Sequence, residues 1–173
     1  MPARGLIAGA TAVAVTAVGL VSEPTARASA DEWPINGTFI ARSMGEWAKT
    51  RESFHDEATV TSTWTITSSC SDPQTCTGQV TSDLGWTAPL GRFGGAWEIH
   101  RELPNWEPCA DGTAATGHQK IRFWAVDENG QVLTRSAEAT QFAGEDRTIG
   151  DSGACGINQW QVIRMPFTMR KVA

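Results

Sequence analysis

From Thr59 to Ser68 the chain alternates without a break: Thr at 59, 61, 63, 65 and 67, with Val60, Ser62, Trp64, Ile66 and Ser68 between them. Successive side chains of an extended chain point to opposite faces. One face of this stretch therefore carries only hydroxyls, and the other carries Trp64 and Ile66. β-branched residues fit a pleated surface. The stretch is predicted to be a strand with a wet Thr face and a Trp face turned to a core. Beyond residue 30 no helical stripe longer than two turns occurs.

The same period recurs along the chain. Strands are predicted at Gly37 to Ser43, at Thr77 to Asp83, and at Ala96 to Leu103, where Trp97, Ile99 and Leu103 share a face. Another is predicted at Gln119 to Val126, where Ile121, Phe123 and Ala125 oppose Arg122 and Trp124. Asp127-Glu128-Asn129-Gly130 reads as a turn, so Gln131 to Ala139 is expected to return as the second arm of a hairpin. Asn158 to Met169 is the last strand, with Ile157, Ile163, Met165, Phe167 and Met169 on one side. Pro166 cannot donate to a ladder and marks an edge or bulge there. Pro104 to Gly117 and Ala143 to Gly156 read as two long loops. Seven short strands separated by turn signals give an all-β fold, an antiparallel meander forming a small barrel, with a sandwich as the alternative.

The N-terminus is a separate unit. Arg4 and the free amine form a positive tip, Leu6 to Val21 is uncharged and apolar or small, and the polar stretch after it ends Ala28-Ser29-Ala30. This is the three-part pattern of a secretory signal peptide, residues 1–30, with cleavage after Ala30. The apolar run falls short of the roughly 20 residues that cross a bilayer, so no membrane span is expected after cleavage. Residues 31–173 then form a single β domain that is secreted or held in the cell envelope. The formal charge of −5 and the scatter of the basic residues disfavour a nucleic-acid partner.

All four cysteines follow the leader. An even number in an exported chain reads as disulfides rather than as zinc ligands, and no Cys-x-x-Cys spacing is present. Cys70 and Cys76 flank a polar turn between two strand-like runs and are expected to pair. Cys109 and Cys155 are then left to join the two long loops.

Several motifs have by now accumulated: Trp64-Thr-Ile-Thr-Ser-Ser-Cys70, Cys76-Thr-Gly-Gln-Val-Thr-Ser-Asp83, Pro104-Asn-Trp-Glu-Pro-Cys-Ala-Asp-Gly-Thr113, Gly144-Glu-Asp-Arg147 and Gly153-Ala-Cys-Gly156. Together, over most of Gly37 to Lys171, they resemble a family of small exported mycobacterial proteins of unknown function. The Trp-Thr-x-Thr-Ser-x-Cys then Cys arrangement is also similar to extracytoplasmic domains of some mycobacterial Ser/Thr kinases. The resemblance implies an actinobacterial protein of the cell envelope and brings no catalytic residues.

Gly150-Asp151-Ser152-Gly153 looks like the nucleophile loop of trypsin-like proteases, but Ala154 replaces its next Gly and no histidine has that family's setting. The string is read as a disulfide-flanked turn, and Ser152 as inert. His55-Asp56-Glu57 is read as a solvated turn, because adjacent strand residues cannot converge. His100 with Glu98 and Glu102 is read as a wet strand face rather than a metal site. Glu98, Glu102, Glu107 and Asp111 could form a glycosidase-like pair only if a cleft gathered them. Glu145-Asp146-Arg147 is read as a loop with a surface ion pair.

Eight tryptophans and no tyrosine are the oddest feature of the composition. Trp64, Trp97 and Trp160 are placed mid-strand and expected in the core. Trp86 and Trp106 lie among Gly, Pro and Asn. They are the candidate ligand-binding residues, offering faces to a sugar ring or an apolar ligand, and packing of their loops against the barrel end is the alternative. The expected function is therefore non-enzymatic: a secreted or envelope protein that binds an unidentified ligand or partner, with no cofactor and no metal. The alternatives are a hydrolase, or a structural or antigenic envelope protein without a small ligand.

Overall fold

The computed structural model describes residue 1 and residues 30–172, so the expected leader lies outside the described residues except at its ends. Ten strands follow one another: β1 (Gly37–Ser43), β2 (Lys49–Thr50), β3 (Ser53–Phe54), β4 (Val60–Asp72), β5 (Thr75–Ser82), β6 (Thr87–Phe93), β7 (Ala96–Pro108), β8 (Ala114–Val126), β9 (Gln141–Gly150) and β10 (Val162–Lys171). Helical structure among the described residues is confined to three short 3-10 turns.

β1 pairs with β4, and β4 to β10 each pair antiparallel with the next. β10 then pairs with β1, from Phe39↔Lys171 to Ser43↔Phe167, and closes an eight-stranded barrel. The small β2–β3 hairpin hangs from β10. Closure leaves no long sheet edge open to pairing with another chain. It also rules out the sandwich.

The alternation read in β4 holds. Ser62, Trp64 and Ile66 are buried, while Thr61, Thr65 and Thr67 are exposed. Inside, Trp64 stacks on Phe167 at 5.3 Å, and Phe123 packs against both Phe167 and Phe142. Such aromatic pairs add about 0.5–1.5 kcal/mol each beyond the area they bury. One end of the barrel is plugged. Trp33 and Ile35, just before β1, are buried there. The Ser68 hydroxyl accepts from the Ile35 amide at 2.8 Å and donates to the Ile35 carbonyl at 2.8 Å. Ser136 donates to the Trp33 carbonyl and accepts from the Trp97 indole at 3.4 Å.

That plug corrects the first of the expectations. Residues 131–139 form no strand beyond a single bridge, Val126↔Val132. The chain leaves the ladder after the predicted turn, sends Ser136 and Ala139 over the barrel end, and only then returns as β9. The expected loop 143–156 is therefore mostly strand. Its inward positions are Phe142, Gly144, Asp146, Thr148 and Gly150, and so much Gly and Asp disguises a strand as a turn. Gly144 is required: a Cβ there would lie 1.9 Å from the Arg122 carbonyl oxygen.

The expected loop 104–117 is also strand. β7 runs on to Pro108 and β8 starts at Ala114. Pro104 and Asn105 sit at an irregularity between Leu103 and Glu107, where Asn105 takes a φ of 56°. They mark a bulge, which bends a strand without ending it. β6 had no sequence signal because Pro89 and Gly91 interrupt it, yet Ala88, Leu90 and Arg92 alternate inward. Finally, β10 begins at Val162 rather than at residue 158, since its ladder with β9 starts only at Ile149↔Val162. Trp160 precedes the strand and is 57% exposed, not core, and Ile157 is exposed as well.

Both disulfides are present as expected. Cys70–Cys76 crosses the β4–β5 hairpin, and Cys109–Cys155 ties the β7–β8 turn to the segment after β9. The first closes a separation of 6 residues and the second one of 46. On loop-closure entropy, removing them is expected to cost about 2 and about 4 kcal/mol respectively. Chemical denaturation of Cys70→Ala/Cys76→Ala and Cys109→Ala/Cys155→Ala variants checks this. A larger loss for the short loop would contradict it.

Candidate functional site

Away from the plug, the inward stripe of each strand changes character. β7 passes from Trp97 and Ile99 to Arg101, β8 from Phe123 and Ile121 to Gln119, and β9 from Phe142 to Asp146. β1 ends on Ser43. These four polar side chains meet. Asp146 accepts from the Ser43 hydroxyl at 2.6 Å, and the Gln119 amide nitrogen lies 2.8 Å from each of its carboxyl oxygens. The Gln119 carbonyl in turn accepts from Arg101 Nε. The Arg101 guanidinium lies 4.2 Å from the centre of the Trp86 ring, a cation–π contact.

Asp146 is only 2% exposed. Burial pushes its carboxyl above the ordinary range, against the hydrogen bonds from Ser43 and Gln119 and the charge of Arg101. Burial likewise lowers the pKa of Arg101, against the charge of Asp146.

Beyond this polar layer the barrel opens into a cavity of about 240 Å³. Trp64, Trp86, Trp106, Leu103, Ile163 and Met165 are among the side chains that wall it. Trp86 meets Trp64 edge to face at 5.4 Å, and its indole N–H has no acceptor among the described residues. Trp106 projects from β7 just past the bulge. It lies across Gly117, where a Cβ would come within 2.7 Å of the ring, and beside Gly150. Two glycines on neighbouring strands thus make the seat for one indole. The two tryptophans singled out from the sequence border one space, although Trp106 lies in a strand rather than in a loop.

The other candidates do not gather. Ser152 is exposed on a turn, and no hydrogen bond joins it to a histidine among the described residues. His118 instead faces Asp151 at 3.1 Å, with both side chains open to solvent. His55 contacts Glu57 at 3.2 Å, also in the open. Glu98 lies outside the barrel against Lys120 at 2.9 Å, Arg122 at 3.1 Å and His100 at 3.3 Å. Burial raises its pKa, but hydrogen bonds from Lys120 and His100 and the charges of Lys120 and Arg122 bring it below the usual range. Glu102 lies 4.0 Å from His118, Asp111 caps the turn at Thr113, and Glu107 Oε2 occupies the space beside Gly150 where a Cβ would fall, so these carboxylates do not gather into a pair among the described residues. Among the described residues no cluster of three metal-ligating groups forms.

The expectation for 145–147 needs correction. These residues are in β9, with Glu145 exposed and Asp146 pointing into the barrel, so no loop ion pair forms there. Arg101, Gln119, Asp146 and Ser43 were missed as site residues. The signal was a polar side chain in phase with an apolar stripe, at 101 after Trp97 and Ile99 and at 119 before Ile121 and Phe123.

The raised pKa of Asp146 has a signed consequence. Between the ordinary carboxylate range and the raised native value, the fold holds a proton that the unfolded chain has released. Its contribution to stability is therefore complete at low pH and declines as pH rises through that window. Thermal unfolding of the wild type, relative to Asp146→Asn, is expected to worsen from acid to neutral pH. A wild-type advantage that instead grows with pH would contradict a raised pKa.

No protein-family model matches this chain, and no curated protein does. Among solved structures it is similar to the monomer form of the M. tuberculosis PknI sensor domain, with 16% identity over 81% of this chain and 88% of that one, and a TM-score of 0.56. At that identity the likeness is one of fold, and it agrees with the resemblance to extracytoplasmic domains of mycobacterial Ser/Thr kinases read from Trp64 to Cys76.

Proposed function

We propose that this chain is a non-catalytic extracytoplasmic binding protein whose open barrel end takes a small ligand. The cavity carries the reading. An eight-stranded barrel is just wide enough either to fill with side chains or to hold one small ligand. This one does both, filled at the Trp33 end and open at the Trp106 end. Apolar and aromatic walls with a few fixed polar groups are the usual make-up of a ligand pocket. The solved domain of like fold is a sensor domain, and two disulfides suit an oxidising compartment. Export by cleavage after Ala30 belongs to the same proposal. Among the described residues no arrangement of nucleophile, base and orienter favours the hydrolase alternative.

The test uses an uncharged apolar reporter, N-phenyl-1-naphthylamine. Its emission is expected to rise saturably with one site per chain. Trp106→Ala should weaken that binding severalfold and lower stability by no more than about 3 kcal/mol, the low end for a packed aromatic. A larger stability loss, with no reporter binding to the wild type, would make Trp106 a plug and return the chain to the structural alternative.

A further inference from the structure

Among the described residues the cavity is lined by one cationic side chain that forms no ion pair, Arg101. Arg101 uses Nε on Gln119, and no carboxylate of the described residues lies within ion-pair distance of its guanidinium. Asp146, the nearest candidate, has its oxygens engaged by Ser43 and Gln119 instead. Arg101 lines the cavity, and among the described residues its terminal nitrogens make no hydrogen bond. The indole of Trp86 is packed beneath Arg101, with its own N–H buried and without an acceptor among the described residues. The guanidinium is thus a donor group without an ion-pair partner among the described residues, on a wall that also carries Glu57 and the Ser43–Gln119–Asp146 layer but is elsewhere largely apolar.

A planar guanidinium already stacked on an aromatic face is pre-organised. Its fork matches a carboxylate with two parallel N–H···O bonds, and little side-chain entropy is left to lose. The volume sets the size of the rest. A dry cavity of about 150 Å³ takes a single benzene ring, and this one is about 240 Å³ with an open mouth.

We propose that the barrel binds a small amphipathic monocarboxylate, its carboxylate on Arg101 and its apolar body of one or two rings, or an equivalent chain, against Trp64, Trp86 and Trp106. This rests on the open barrel end being a ligand site at all. Glu57 also borders the cavity but is turned to His55 rather than to Arg101, so the guanidinium suits one negative charge, while a second carboxylate on the rim and the apolar walls disfavour a sugar phosphate or a polyanion.

Calorimetric titration of the purified protein with three probes of one shape tests it: 2-naphthoate, 2-naphthalenemethanol and 2-naphthylmethylammonium. The naphthoate is expected to bind roughly tenfold or more tightly than the alcohol, as a hydrogen bond to a charged group allows, and the ammonium ion most weakly. The Trp86 indole N–H resonance should shift with naphthoate. Arg101→Met should abolish the preference for naphthoate over the alcohol. If that variant does not fold, the order of the three probes on the wild type decides alone. Equal binding of alcohol and naphthoate, or a naphthoate preference that survives Arg101→Met, would overturn the carboxylate while leaving the cavity as a ligand site. Failure of all three probes to bind would overturn both.

Discussion

The ladder between Phe39–Ser43 and Phe167–Lys171 turns a sheet into a barrel, and the rest of the molecule follows from that closure. Once eight strands close, the interior has a fixed width, and every second side chain of each strand must either fill it or line a space within it. The chain fills it from one end with Trp33, Ile35, Trp97, Phe123, Phe142, Phe167 and Met169. β1 is short and ends at Ser43, which bonds directly to Asp146 on β9, with only β10 between the two strands. There the filling stops being apolar.

An ionised carboxyl held at that depth without a counter-ion would cost several kcal/mol in desolvation. Two hydrogen-bonding neighbours reduce that cost, and keeping the proton removes most of it. Either way, a purely apolar layer of equal volume would hold the barrel together at least as well. A polar layer that breaks the local rule marks the place where a protein departs from the best packing for some other end. Here it forms the floor of a space walled by three tryptophans. The same layer fixes Arg101: Gln119 links it to Asp146 on one side, and Trp86 supports it on the other.

The fold was legible where side chains obey one rule at a time. β4 shows plain alternation, and the Asp127–Gly130 turn and the Cys70–Cys76 pairing are local. Legibility failed where inward positions are not apolar. β9 carries Gly144, Asp146 and Gly150 on its inner face, and these residue types read as loop until a closed barrel supplies the reason for them. Pro104 and Asn105 read as a strand end although they bend a strand that continues. The plug at 131–139 is a tertiary demand, since nothing local says that Ser136 must reach Trp33 and Trp97. Trp86 and Trp106 were found because bulky rings among Gly and Pro are conspicuous. Arg101, Gln119 and Asp146 were not, because their meeting depends on the register of three strands.

A carboxyl–amide–guanidinium layer that separates a filled half of the barrel from an open one is the central claim. The ¹³Cγ chemical shift of Asp146, followed by NMR across a pH titration of the folded protein, tests it most directly. The expected result is a carboxyl that stays protonated above the range of an exposed aspartate. Ionisation within or below that range would contradict the claim, since burial in this layer would then not outweigh the hydrogen bonds from Ser43 and Gln119 and the charge of Arg101.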